Sequence, residues 1–281
     1  MRKNSVFALW ALVIWVLGTS CKSEFERIRS SGDPDLLFKK AEAYYNDTEY
    51  QKARTLYELI ISSFRGRPEA EQIYFKYAYT YYYLEEYILA SYYFKNFAQT
   101  YTISPLREEA DFMSAYSNYQ LSPTFRLDQT YTLKAIDELQ AFTNLYPNSL
   151  RVQECNILID QMRAKLEKKA FEEGKLYFNL RLYQSATHTF ENLLKDFPET
   201  KNAEEVRYMI IRAYYLLAEN SVVERQQERF QETIDKASAF LSRYPNSAYN
   251  KEVSNLQNNS SKRINQLNNV RYQNQSTRTG S

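Results

Sequence analysis

The chain of 281 residues has two cysteines, one histidine, five glycines and seven prolines. Each scarcity closes off a class of protein. Two cysteines cannot build a disulfide framework, so the fold must be held by a packed core. One histidine beside two cysteines cannot assemble a metal cluster or supply a Cys/His nucleophile pair. Neither a glycine-rich phosphate loop nor a serine elbow occurs. No catalytic residue, metal ligand or cofactor is therefore expected, and the chain is not read as an enzyme. His188, in "SATHTF", is expected to face solvent. So few glycines and prolines leave little turn material for a many-stranded β fold. Charge of one sign is missing too. Lys and Arg total 36 against 34 Asp and Glu, and without residues 1–20, which hold Arg2 and Lys3, the counts are level. A neutral, mixed surface gives no nucleic-acid footprint, and no nucleic-acid partner is expected.

A long hydrophobic run is also absent. Val6–Leu17 is apolar over 12 residues, short of the ~20 a helix needs to cross a bilayer. With Arg2 and Lys3 before it and Gly18-Thr19-Ser20 after it, the run reads as an export signal over residues 1–20. A cysteine at the cleavage point, Cys21, resembles the lipid-attachment site of bacterial lipoproteins. The usual Leu three residues before the cysteine is Gly18 here, with Leu17 one further back. The alternative is a secreted protein with Cys21 free or disulfide-bonded. Cys155, in the helical stretch "RVQECNILIDQM", then has no partner and is expected to be a buried small hydrophobe.

What the sequence does hold is tyrosine, 26 of them, among Leu, Ala, Glu, Lys and Arg. That composition predicts an all-helical protein. Laid against itself, "FKKAEAYYNDTEYQKARTLYELI" (38–60) matches "FKYAYTYYYLEEYILASYYFKNF" (75–97). Phe38 pairs with Phe75, Ala41 with Ala78, Tyr45 with Tyr82, Tyr50 with Tyr87 and Ala53 with Ala90, each 37 residues apart. Phe112, Ala115 and Tyr119 continue the series. Phe171, Gly174, Phe178, Tyr183, Ala186 and Phe190 form a fourth copy, and Ala213, Thr233 and Phe240 a weaker fifth. A period of this length means stacked helix pairs.

The internal spacing identifies the pair. A small residue on the first helix is followed 12 positions later by one on the second, and four beyond that by a large one: Ala41/Ala53/Tyr57, Ala78/Ala90/Phe94 and Gly174/Ala186/Phe190. Helices crossing at ~8–10 Å need a small side chain where they touch. The expected fold is thus an all-α, right-handed superhelical solenoid of five tetratricopeptide-type helix pairs. In copies three and five the step is 20, so eight residues are inserted, near "SPTFRLDQ" and "NSVVERQQER". Stop signals recur after each second helix: "SFRGRP", "TYTISP", "LYPNS", "DFPET" and "RYPNS". Residues 148–180 contain no stop beyond their start and predict one long helix. The Asn, Gln and Ser of 255–281 predict a capping helix ending near Leu267, then a disordered polar tail.

On each first helix, positions three before, one after and four after the small residue share a face. They hold Phe38, Glu42 and Tyr45, then Phe75, Tyr79 and Tyr82, then Phe112, Tyr116 and Tyr119, with Phe171, Lys175 and Phe178 in copy four. On the concave side of the array they would line an aromatic groove with hydroxyl tips, suited to an extended peptide. The competing reading puts them, the phenylalanines above all, in the core.

The order of these segments is specific. A lipoprotein signal, "SGDPDLLFKKAEAYYNDTEYQKA", "KAIDELQAFTNLYPNS", "AKLEKKAFEEGKLYF" and "SATHTFENLLKDFPETKNAEE" follow one another, with the paired insertions kept. In this the chain resembles the BamD family of outer-membrane protein assembly lipoproteins, in its Bacteroidetes form, over about residues 21–250. The resemblance implies a non-catalytic scaffold, lipid-anchored at Cys21 on the periplasmic face of the outer membrane. It implies two protein partners: the BamA-like barrel subunit, through the C-terminal repeats, and unfolded outer-membrane proteins, through the N-terminal ones. The organisation expected is a signal peptide (1–20), a lipidated linker (21–33), repeats one to three (34–147), repeats four and five joined by the long helix (148–250), and the cap and tail (251–281). Two other readings compete: another periplasmic tetratricopeptide envelope scaffold, and a glycan-binding surface lipoprotein.

Overall fold

A computed structural model describes the backbone of residues 24–279 and side chains as far as 269. Cys21 and the signal at 1–20 lie outside the described residues. The described residues form twelve helices and no strand: α1 Glu24–Arg29, α2 Pro34–Asn46, α3 Tyr50–Ile60, α4 Glu69–Tyr83, α5 Tyr87–Thr100, α6 Arg107–Gln120, α7 Thr130–Leu145, α8 Val152–Asn179, α9 Tyr183–Asp196, α10 Ala203–Glu219, α11 Val223–Arg243 and α12 Asn250–Thr279. Packing divides them into two compact units. One runs to Pro123 and takes in Gln129–Ile159; the other holds Thr124–Asp128 and the chain from Asp160 on. The division falls inside the long helix α8, whereas the repeat pattern sets it at 147/148.

Small residues lie where the helices of a pair cross. Ala41 and Ala53 of the α2/α3 pair, Ala78 and Ala90 of α4/α5, and Ala115 and Ala135 of α6/α7 are all fully buried. One turn on, Tyr57, Phe94 and Leu139 are sealed in as well, each such side chain contributing about 1.5–3 kcal/mol by leaving water. In the second unit Gly174 takes the small position opposite Ala186. A Cβ on Gly174 would sit 2.5–2.8 Å from the Phe190 ring, so any other residue would force the ring or the helix to shift. Phe190, Val206, Ile210 and Ala213 close one core there, and Tyr208, Ile211, Phe240 and Val253 another.

The turn inside pairs one, two and four is built without glycine. Thr48, Glu85 and Arg181 adopt left-handed backbone with φ of 61°, 59° and 61°. Each stands five residues before the small residue of the second helix. The following amide reaches back to the first helix, Glu49 to Tyr44 O (2.8 Å), Glu86 to Tyr81 O (2.9 Å) and Leu182 to Tyr177 O (2.9 Å). This is the Schellman closure, which satisfies carbonyls a helix end would otherwise leave bare.

Successive pairs are fastened by a repeated hydroxyl–carboxylate contact. Ser104 donates to Glu71, Ser149 to Glu108 (2.6 Å), Thr200 to Glu167 and Ser247 to Glu204. The steps are 33, 41, 33 and 43 residues, so the contact survives both insertions. Each hydroxyl also accepts from the amide two residues on, at 3.0–3.1 Å. The stop motifs thus do more than end a helix. The first pair uses Arg67 and Asp35 (2.9 Å) instead.

The two insertions take different forms. "SPTFRLDQ", with Pro123 and Asp128, makes a loop between α6 and α7. Lys169 donates to its Phe125 and Leu127 carbonyls (3.3 and 3.2 Å). "VVERQQER" is made of helix formers and lengthens α11 to 21 residues. The last helix corrects an expectation, because α12 runs to Thr279 rather than ending near Leu267. No proline or glycine interrupts the chain between Asn250 and Gly280, and Asn and Ser each cost a helix only a fraction of a kcal/mol, roughly 0.7 at most.

Candidate functional site

The face predicted from α2, α4 and α6 separates into two layers in the first unit. The phenylalanines form the lower one. Phe38 packs on Phe64 (5.4 Å between centroids), and Phe75 on Phe97 and Phe94 (5.1 and 6.0 Å). Phe112 is only 1% exposed and lies 5.7 Å from Phe142. It is a core residue, which corrects its place among the groove residues. Its position three before Ala115 aims the ring down at the partner helix, where Arg151 covers its face at 4.1 Å.

The tyrosines form the upper layer, and their rings run on without a break. Tyr50 stacks on Tyr83 (4.4 Å), Tyr83 on Tyr79 (5.6 Å), Tyr79 meets Tyr82 (6.5 Å), Tyr82 meets Tyr116 (6.2 Å), and Tyr116 stacks on Tyr119 (5.6 Å). Tyr45 joins at Tyr50 and Tyr83 (5.6 and 6.2 Å), and Tyr87 at Tyr82 (5.5 Å). Spacing on the first helices predicts Tyr45, Tyr79, Tyr82, Tyr116 and Tyr119. It misses Tyr50, Tyr83 and Tyr87, which sit at helix ends around the turns. The 37-residue alignment of Tyr50 with Tyr87 was the signal for two of them. Tyr83, 44% exposed, is the widest open of the set.

Two carboxylates anchor this layer from its edges. Glu42 accepts from Tyr57 (2.5 Å), Lys76 (2.6 Å) and Gln72 (3.1 Å), and the Lys76 ammonium lies 5.0 Å above the Tyr45 ring. Glu109 accepts from the Tyr79 hydroxyl (2.9 Å) and from Arg151, whose Nη2 reaches both carboxylate oxygens at 2.9 Å. Charge is therefore neutralised beside the rings rather than among them. Burial raises the Tyr45 phenol far above its ordinary range, with Tyr83 adding to the effect. Burial and then the Glu109 charge do the same for Tyr79. Tyr82 is pushed up to about 12 by burial and then by Tyr116. At neutral pH the face is uncharged, offering flat apolar area with hydroxyl edges. That suits it to hold side chains, not to transfer protons.

In the second unit the corresponding positions are capped by cations. Lys175 lies 5.3 Å from the Phe171 ring and Arg212 5.1 Å from Phe178. His188 is exposed on α9. Cys155 is fully buried and its thiol is pushed up to about 11, by burial first and Glu154 second, so thiolate chemistry is suppressed. Among the described residues no group of His, Cys, Asp and Glu is placed to hold a metal ion, and no helix is long and apolar enough to cross a membrane.

Comparison with known proteins follows the same lines. A family model described as an outer membrane lipoprotein, YfiO, matches residues 31–226 and again 183–270. No curated protein matches the chain. Among solved structures, a tetratricopeptide-repeat protein from Bacteroides fragilis is similar at 12% identity and a TM-score of 0.36, covering 83% of this chain and all of its own. The TPR2AB domain of yeast Sti1, in a pHSP90 complex, is similar at 14% identity and a TM-score of 0.38, covering 81% of this chain and 98% of its own.

Proposed function

The chain belongs to the YfiO (BamD) family of outer-membrane lipoproteins, non-catalytic tetratricopeptide scaffolds that partner the BamA-like subunit of the β-barrel assembly machinery, and we propose that this member receives unfolded barrel segments on the tyrosine face of its first unit. The observation that carries this reading is the unbroken run of rings from Tyr50 to Tyr119, left half-open above Phe38 and Phe75, which are themselves half-buried, and Phe112, which is buried. Tyrosine gives large contact area with few rotors to freeze, and each hydroxyl can bond a peptide backbone. The terminal strand of a barrel protein is extended and carries aromatic side chains, so the two surfaces match in kind.

The remaining assignments complete the reading. Cys21 carries the lipid anchor, after a leader of residues 1–20 and before a linker to residue 33. Repeats one to three, over 34–147, receive substrate. Repeats four and five, over 148–250, hold the barrel subunit. Phe38 and Phe75 support the groove, while Tyr45, Tyr79, Tyr82, Tyr116 and Tyr119 touch the peptide.

The test is fluorescence anisotropy of a labelled C-terminal peptide from an outer-membrane barrel protein of the same bacterium. Two aromatic contacts contribute about 1–3 kcal/mol together, so Tyr82→Ala with Tyr119→Ala should weaken binding by roughly 5- to 150-fold. Unchanged affinity in a variant of unchanged thermal stability removes the tyrosine face from the reading.

A further inference from the structure

We propose that the groove between α9, α10 and α11 is a second docking site, taking a segment of a partner protein in which a carboxylate is flanked by large apolar side chains. The groove is a cavity of about 640 Å³. Its floor is apolar, from Leu194, Ile210, Ile211 and Phe240, and its rim carries Glu191, Arg207, Lys236 and Arg243. Lys236 is engaged with Glu191 at 2.7 Å. Neither arginine forms an ion pair among the described residues, and Arg207 Nε is buried with no hydrogen-bond partner. Two guanidiniums beside an apolar floor, neither ion-paired, offer the planar fork that a carboxylate matches.

The molecule contains its own control. The groove between α5, α6 and α7 lies at the equivalent place one unit earlier, and its cavity is about 160 Å³. There Lys95 and Glu138 are paired at 3.3 Å. Lys95 follows Phe94 as Glu191 follows Phe190, and Glu138 precedes Phe142 by four as Lys236 precedes Phe240. The same ion pair is therefore present with its charges exchanged. Three residues after the phenylalanine stands Leu145 in the first groove and Arg243 in the second. The first rim holds Lys95, Asp111 and Glu138, a net of −1. The second holds three cations and one carboxylate, a net of +2. Helix pairing alone generates the first groove, so the width and charge of the second belong to its own residues. They select an acidic apolar ligand and reject a basic one.

The experiment uses the full chain and a short, end-capped fluorescent peptide alternating Glu with Leu and Ile, without aromatic side chains, alongside the same peptide with Gln for Glu. We expect saturable binding of the acidic peptide, weakened about tenfold by Arg207→Gln with Arg243→Gln and about tenfold by the Gln peptide. Arg243→Gln alone, at an exposed position, should weaken it severalfold and keeps the test valid if the double variant does not fold. The Tyr82→Ala, Tyr119→Ala chain should bind it as the parent does, which separates this site from the tyrosine face. No saturable binding, equal binding by the variants, or equal binding of the Gln peptide overturns the proposal. So does a preference for phosphatidylglycerol vesicles that the same variants abolish, since the groove would then be a lipid headgroup site.

Discussion

Replacing Gly174 by alanine sets two known effects against each other at one atom. Glycine inside a helix costs about 1 kcal/mol relative to alanine, and Gly174 lies well within α8. On backbone grounds alone the substitution stabilises. The new methyl, however, would lie 2.5, 2.7 and 2.8 Å from three carbons of the Phe190 ring. Phe190 is fully buried and is walled in by Ala186, Leu193, Val206 and Ile210, so the ring has nowhere to swing. Inserting a methyl into such a site costs about 1–3 kcal/mol. Overpacking wins, and Gly174→Ala should be destabilising by roughly 0–2 kcal/mol, a few degrees in Tm at this size. The second substitution decides the mechanism. Phe190→Leu alone loses buried ring, but in the Gly174→Ala background it clears the space the methyl needs. The double-mutant cycle should show favourable coupling of about 1–2 kcal/mol. Guanidinium unfolding followed by circular dichroism gives the three values. Gly174→Ala more stable than the parent by the full helix-propensity gain, or a coupling near zero, would refute the close approach of the two helices there.

Three further outcomes follow from the same contacts. Arg181→Gly should hold or raise stability by up to about 1 kcal/mol, because φ near +60° is strained for arginine and free for glycine, while Arg181→Val should lower it; thermal melts of both check the turn. Ser149→Ala removes one hydroxyl–carboxylate rung between successive pairs and should cost about 0.5–1.5 kcal/mol, with hydrogen exchange quickened at the start of α8. Tyr82, Tyr146, Tyr208, Tyr214 and Tyr215 are each raised to about 12 in the folded chain from an ordinary 10.0. Their stabilising effect is therefore complete below pH 10 and lost as pH rises through 12. Melting temperature should fall across that window, less steeply in a Tyr208→Phe, Tyr214→Phe chain, and phenolate absorbance should lag behind that of free tyrosine until the fold opens.

Much of the fold was legible because steric need repeats itself in the sequence. Two helices in contact require a small residue at the crossing, and Ala41, Ala78, Ala115, Gly174 and Ala213 declare it, the first three at a constant step of 37 residues. The stop motifs were visible for the same reason, although the carboxylates that Ser104, Ser149, Thr200 and Ser247 bind were not. A contact 33 to 43 residues distant leaves no local trace. The site was legible in part. A helical period of three and four finds the right face but cannot tell its two layers apart, since Phe112 and Tyr116 share that face and only packing sends one ring inward. Tyr83 escaped because it stands at a helix end, where the period no longer fixes direction. The polar composition of 255–281 hides the full length of α12. Composition sets how much apolar surface a segment can bury, whereas the absence of a breaker sets how far a helix already begun can run.

The measurement that bears most directly on the central claim is photo-crosslinking in living cells, with benzoylphenylalanine placed at Tyr83 or at Tyr92. Both positions are open, at 44% and 57% exposure. Tyr83 belongs to the run of rings from Tyr50 to Tyr119; Tyr92 borders a different cluster, beside Tyr93. Adducts with newly exported outer-membrane barrel proteins are expected from Tyr83 and none from Tyr92. Adducts from Tyr92 alone, or from neither while the chain still co-purifies with the barrel subunit, would contradict that claim.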